Sequence, residues 1–289
     1  MCPATNDEKL AAAKLPFQSL VGGLIYAAKT RPDVAFAISD VARFMNCWGV
    51  DHFKAALRIL RYLYATRNRV IHIKPESDDL VVTAFSDANW CDPRETGEKI
   101  DDKYKPQFGF VVFVSGVPVA WTSRRMQSRA RSSMESEYYA ADEVCKEVMF
   151  WRDLLDELGY TQTQPTQIFE DNKACIAYSK NNTCHSRTKH IDNRAYILRD
   201  HVRAGLVVLL HVDTNDQLAD MMTKAQLKHT FIEHTDRIFN GTCTPRKSTN
   251  GGVRVGRVSV CHCLSCFVGG AVCEKSDWFD PVLSIDPHW

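Results

Sequence analysis

Residues 132–144 read SSMESEYYAADEV, with two glutamates two positions apart, Glu135 and Glu137, ahead of a long apolar-periodic run. A helix over about Ser133 to Leu158, closed by Gly159, fits the periodicity and the terminal glycine. On a helix, neighbours on one face recur at i+3, i+4, i+7, i+8 and i+11. From Glu137 these are Ala140, Ala141, Val144, Cys145 and Val148, an apolar stripe; from Glu135 they are Tyr138, Tyr139, Asp142, Glu143 and Lys146. Glu137 is therefore expected to face a core and Glu135 to face water. A buried carboxylate is costly unless it has a partner such as a metal ion. The plainer alternative, an acid favouring the helix N-terminus, suits Glu135 better than Glu137.

Working outward, the elements that this helix must pack against are strands. DLVVTAFSDANW (79–90) reads as a strand ending at Asp87, and FGFVVFVSG with VPVAWTS as a hairpin turning at Ser115-Gly116. TQIFEDN (166–172) is a short strand ending in acid. Helices around 172–180 and 190–204, the strand LVVLLHV and a final helix opening at DTNDQLADMMTK follow. Antiparallel strands first, then strands alternating with helices, predict an α/β domain with a mixed sheet covered by helices. Upstream, Leu15 to Arg69 is helical, with Asp51 as the expected N-cap of its third helix. Beyond about Asn240 the sequence turns to Gly, Thr, Ser and Arg without a period, so 241–289 reads as a poorly ordered tail.

The apolar fraction of 45% supports a sizeable core, and a formal net charge of +1 means that any nucleic-acid binding must come from local patches. No apolar run is long enough to span a bilayer, and the first residues carry no signal-peptide pattern. Eleven cysteines, an odd number and mostly scattered, suggest a reduced intracellular setting rather than a disulfide framework.

Three more acids sit where core elements end. Asp87 closes a strand, Asp171 closes another, and Asp220 lies inside QLADMMTK, too far in for a cap. Each alone suits a turn or cap. With Glu137 they supply several carboxylates from different elements, which is what hard divalent cations and two-metal phosphoryl chemistry need.

The stretches LVGGLIYAAKTRPDVAFA, SDANW, VAWTSRRMQ, SSMESEYYAA, EDNKACIAYSKNN, HSRTKHID and DQLADMMTKAQL, in this order, resemble the C-terminal part of Ty1/copia-type retrotransposon Pol polyproteins. The resemblance runs from about Leu15 to Phe239 and covers the ribonuclease H region with the end of the reverse transcriptase before it. It implies a ribonuclease H-like fold, a five-stranded mixed sheet in the order 3-2-1-4-5, behind a small helical segment. With the tail at 241–289 it divides the chain at 1–75 and 76–240, and it implies Asp87, Glu137, Asp171 and Asp220 as catalytic ligands of two Mg²⁺, with Mn²⁺ as a substitute. The implied activity is hydrolysis of the RNA strand of an RNA–DNA hybrid. The implied partner besides the hybrid is the polymerase part of the same polyprotein, in a cytoplasmic retroelement particle or the nucleus. The rival readings are an inactive retroelement fragment and a non-catalytic nucleic-acid-binding module. No polymerase YVDD-like stretch is present.

Arg124, Arg125, Arg129 and Arg131 lie together without an acid between the hairpin and the helix. They are either a solvated loop or phosphate contacts flanking the cation site. Lys189 extends the same reading; His190 and Asn172 fall in family stretches and are expected to touch nucleic acid. The sequence departs from the family pattern at Asn89, Pro106-Gln107 and Tyr196-Ile197, and in a longer first hairpin loop between Asp92 and Phe108. None of these removes an expected ligand. Cys261, Cys263, Cys266 and Cys273 lack standard zinc-site spacing and lie outside the resemblance.

Overall fold

The computed structural model describes residues 5–73, 80–90, 105–130, 132–180, 194–242 and 244–245. The expected contacts of Arg131, Lys189 and His190, the long hairpin loop and the tail cysteines lie outside these residues.

Helices α1 (Asn6–Ala13), α2 (Phe17–Ala27), α3 (Ala35–Ala42) and α4 (Val50–Ala65) form the opening segment. They bury a core of their own from Phe17, Val21, Leu24, Ile38, Val41, Ala56 and Ile59. Gly49, not Asp51, caps α4: the helix starts two residues earlier, and the Gly49 N–H donates to His52 Nδ1 at 2.9 Å. Asp51 sits in the first turn, where a negative charge still favours the helix dipole. Among the described residues no single helix is long and apolar enough to cross a membrane.

The rest is a sheet of β1 (Val82–Asn89), β2 (Gln107–Val114), β3 (Val117–Arg125), β4 (Thr166–Glu170) and β5 (Val207–His211), in the order β3-β2-β1-β4-β5. The first three strands pair antiparallel, while β4 and β5 run parallel to β1. This is the ribonuclease H-like topology that the sequence implied. The hairpin turns at Ser115 and Gly116, both at positive φ (48° and 84°), which matches the right-handed twist of the flanking strands. Strand β1 runs two residues past Asp87, because Ala88 and Asn89 still pair with Phe108 and Gln107.

Period-two alternation divides the side chains between two layers. Val82, Ala84, Ala88, Phe108, Phe110, Val112 and Ile168 pack under α5 (Ser133–Glu157). Helices α6 (Lys173–Lys180) and α7 (Arg194–Arg203) pack against α5 in turn. Phe85, Val111, Phe113 and Phe169 face the other way, toward the short helix α8 (Asp220–Thr223) and α9 (Lys228–Phe239). The expected single final helix is thus broken. Thr214–Asp216 forms a 3-10 turn, Gln217 is extended, and Lys224 is extended again before α9.

The opening helices are fastened to this second layer. Trp121 Nε1 donates to Ala28 O at 2.8 Å, Gln107 Nε2 to Ser39 Oγ at 3.0 Å, and the His72 N–H to Phe239 O at 2.8 Å. At the joint, buried Asp33 accepts two hydrogen bonds from Arg31 and one from the Tyr62 hydroxyl, while Arg31 also reaches Thr66. Replacing Asp33 by Asn keeps the shape and removes the charge, so charge-assisted bonds weaken inside the protein. Urea denaturation is expected to show a loss of about 1.5–3 kcal/mol; a loss of a few tenths would mean that the network is not a joint.

Candidate active site

The strand alternation that builds the layers also sorts the acids. On β1, Ser86 points to the α5 side and Asp87, following Phe85, to the α8 side. On β4, Glu170 follows Ile168 to the α5 side, and Asp171 just beyond the strand follows Phe169. All lie at the carboxyl ends of the adjacent parallel strands β1 and β4, where open α/β sheets place ligands.

Helix α5 brings Glu137 to the same place. Its N-cap is Ser132, whose hydroxyl accepts from the Glu135 N–H at 3.1 Å. Glu137 lies one turn in, buried on the sheet-facing side, and its Oε2 accepts from the Ala88 N–H at 2.7 Å. Glu135 is half-buried in the first turn. The face counted from Glu135 is less open than expected, since Tyr138 and Asp142 on it are also buried. The reason is the outer layer: Tyr138 packs edge-on to Tyr178 of α6 at 5.1 Å.

Asp87, Glu137 and Asp171 each offer a carboxylate oxygen, and these oxygens lie within 4.8 Å of one another. Thr214 Oγ1 donates to Asp171 Oδ2 at 3.0 Å. Asp220, buried at the start of α8, stands beside Asp87, and its Oδ1 is 2.8 Å from Lys224 Nζ. Thr223 donates its hydroxyl to Asp87 Oδ2. The four expected ligands are therefore neighbours, three in one cluster and Asp220 against its edge.

A fifth acid belongs here that the sequence reading passed over. Glu170 is fully buried, accepts from Ser86 Oγ at 3.0 Å and from the Asn172 N–H at 3.2 Å, and lies within the field of Asp87 and Asp171. The signal was present, since alternation from Ile168 turns residue 170 inward. Lys224 and Thr223 were missed as well, although the lysine follows Asp220 by four residues. Among the expected nucleic-acid contacts, Arg124 and Arg129 are exposed and Arg125 half-buried. Asn172 caps α6, its Oδ1 accepting from the Ala174 and Cys175 N–H groups at 3.0 and 3.1 Å.

So many carboxylates resist ionising together. Burial first, then the neighbouring negative charges, push Glu137 and Glu170 well above the usual carboxylate range. Burial raises Asp87 too, opposed by Lys224 and the Thr223 hydroxyl, and burial with the Asp87 charge raises Asp220 to about 8. A buried, crowded, all-oxygen donor set suits a hard divalent cation, which would supply the missing positive charge.

The sign of the pH effect follows. Folded carboxyls with raised pKa stabilise fully below their unfolded values, near 4, and that contribution is lost as pH rises through the folded values, about 8 for Asp220. Added Mg²⁺ is therefore expected to raise the melting temperature much more at about pH 8 than at about pH 5. Equal increments at both pH values, measured by thermal scans with and without chelator, would contradict this.

The chain is 35% identical over 242 residues to the "Retrovirus-related Pol polyprotein from transposon RE1" of Arabidopsis thaliana, covering 82% of this chain and 16% of that protein. It is 36% identical over 232 residues to the polyprotein from transposon TNT 1-94 of Nicotiana tabacum, covering 80% and 17%. The Ty1-DR1 Gag-Pol polyprotein of Saccharomyces cerevisiae matches at 22% identity over 211 residues, 72% of this chain and 12% of that protein. The chain thus spans less than a fifth of the length of these relatives. No family model matches. Among solved structures, RNase H1 from Halobacterium salinarum NRC-1 aligns at 15% identity and a TM-score of 0.31, covering 49% of this chain and 93% of that one. LC11-RNase H1 in complex with RNA/DNA hybrid aligns at 11% and 0.33, covering 49% and 93%.

Proposed function

We propose that this chain, whose homologues are Pol polyproteins of the Ty1/copia type, performs the ribonuclease H step of such a polyprotein. It would cut the RNA strand of an RNA–DNA hybrid in a divalent-cation-dependent hydrolysis. The observation that carries the reading is the convergence of Asp87, Glu137 and Asp171 from β1, α5 and the end of β4. Asp220 and buried Glu170 stand alongside. Asp87, Glu137, Asp171 and Asp220 would hold two Mg²⁺, which when bound supply Lewis-acid stabilisation of charge on the attacking and leaving oxygens.

The chain's own groups set that donor array. Thr223 fixes one oxygen of Asp87, the Ala88 N–H fixes one oxygen of Glu137, and Thr214 fixes one oxygen of Asp171. Ser86 and the Asn172 N–H hold Glu170 from the α5 side. Each ligand thus reaches the site already oriented, which lowers the entropic cost of assembling the reacting groups. Selection of a hybrid would come through 2′-hydroxyl contacts across a minor groove, the feature that marks the RNA strand. The opening helices are read as the end of the polymerase part.

The test is direct. With Mg²⁺ the protein is expected to cut end-labelled RNA annealed to DNA and to leave the same RNA intact when single-stranded. Cleavage of both, or of neither, sinks the reading. Arg124 and Arg129, both exposed, would contribute phosphate contacts together with Arg125. Replacing the three by Ala is expected to weaken hybrid binding and to lower the salt slope by about one unit per lost contact. An unchanged slope in fluorescence-anisotropy titrations would reduce them to a solvated loop.

A further inference from the structure

Lys224 is the one basic side chain that an ion pair ties to this cluster among the described residues. Helix α8 ends at Thr223, and the extended backbone of Lys224 turns its side chain back, so that Nζ lies 2.8 Å from Asp220 Oδ1. The adjacent residue, Thr223, donates to Asp87. Two consecutive side chains therefore engage the two α8-side acids. The charge of Lys224 acts on Asp87, Asp220 and Asp171. Glu137 and Glu170, on the α5 side, take their main charge interactions from other acids. Among the described residues the site is electrostatically lopsided: one side carries a built-in cation, and the other carries carboxylates alone.

We infer that Lys224 is a tethered cation that holds the Asp220 side of the cluster, so that a second divalent ion binds there only after the ammonium leaves Asp220. The inference rests on the cation-site reading above and adds an order of loading to it. The first ion enters where Asp87, Glu137 and Asp171 converge and, among the described residues, no ammonium is paired. The second competes with Lys224. The side chain is 38% exposed, so the displaced ammonium has a route to solvent or to a phosphate of the bound nucleic acid. A lysine stem is long and flexible enough for such a swing, and its compact point charge needs no fixed fork geometry.

Mn²⁺ binding to the full chain, followed by calorimetry and by the loss of free-ion EPR signal, tests this without any measure of cleavage. Wild type is expected to bind one ion tightly and a second weakly. In Lys224→Met the second ion should bind roughly tenfold tighter or more, since a competing charge within a few ångströms is gone. The metal-free melting temperature should fall, because the acids lose their internal counter-charge. Lys224→Arg, which keeps the charge, should retain the wild-type pattern. Should Lys224→Met not fold by circular dichroism, Lys224→Gln carries the same comparison. A second-ion affinity unchanged or weakened in the charge-removing variant overturns the inference while leaving the cation site intact. If no protein binds any Mn²⁺, the cation-site reading itself fails, and this inference with it.

Discussion

Glu137→Gln is expected to cut hybrid cleavage by about 10³-fold or more, roughly 4 kcal/mol of barrier, while the protein stays folded. The amide keeps an oxygen to accept the Ala88 N–H, so the 2.7 Å contact that seats the side chain survives. What disappears is one negative charge from a cluster that needs cations to balance it. In the metal-free protein the same loss relieves repulsion from Glu170, Asp87 and Asp171, so the melting temperature at neutral pH should hold or rise slightly. Glu135→Gln is the control. Glu135 lies in the first turn, where its charge favours the helix dipole by a few tenths of a kcal/mol, and cleavage should stay near wild type. Asp220→Asn should fall between the two, because Lys224 already offsets part of the Asp220 charge. Equal losses at Glu135 and Glu137, or full activity in Glu137→Gln, would remove Glu137 from the site.

The second large effect comes from a residue with no functional group. Gly109 on β2 pairs directly with Asp87 and faces α8. A Cβ there would lie 2.2 Å from Met222 Cβ, 3.0 Å from Thr122 O and 3.1 Å from the Met222 carbonyl carbon. Met222 cannot yield easily: it is fully buried and its carbonyl oxygen accepts from Ser123 Oγ. Gly109→Ala must therefore push α8 off the sheet and carry Thr223 and Asp220 away from Asp87. Overpacking of this kind costs about 1–3 kcal/mol of stability, and a displacement of about 1 Å at a catalytic group costs on the order of 10²-fold in rate. The two readouts, a denaturation curve and a cleavage rate, should fall together. Phe110, one residue on, points to the other layer, so Phe110→Leu should lower stability with little separate effect on rate. Wild-type cleavage in a folded Gly109→Ala protein would show that α8 has room the geometry denies.

Much of this arrangement is local and was therefore readable in the sequence. The apolar stripe from Glu137 to Val148 identifies the buried face of α5 without any knowledge of its neighbours, because helical period alone decides it. The Ser115-Gly116 turn between two apolar runs defines the hairpin, and strand alternation would have turned Glu170 inward with Ile168. Other features have no local signature. Asp142 and Tyr138 read as a wet face but are buried, because α6 and α7 form an outer layer over α5 that no periodicity in α5 encodes. The run after Asp213 reads as one helix. In the fold it breaks at Gln217 and again at Lys224, because Leu218, Ala219, Met221 and Met222 must reach the sheet beneath Gly109. Only that long-range packing sets Thr223 on Asp87 and brings the local Asp220–Lys224 pair to the cluster. The sequence determined which acids end the core elements, and the four-residue spacing of Asp220 and Lys224 is local; how the acids share charge follows from contacts between distant elements, such as Thr223 with Asp87 and Glu137 with Ala88.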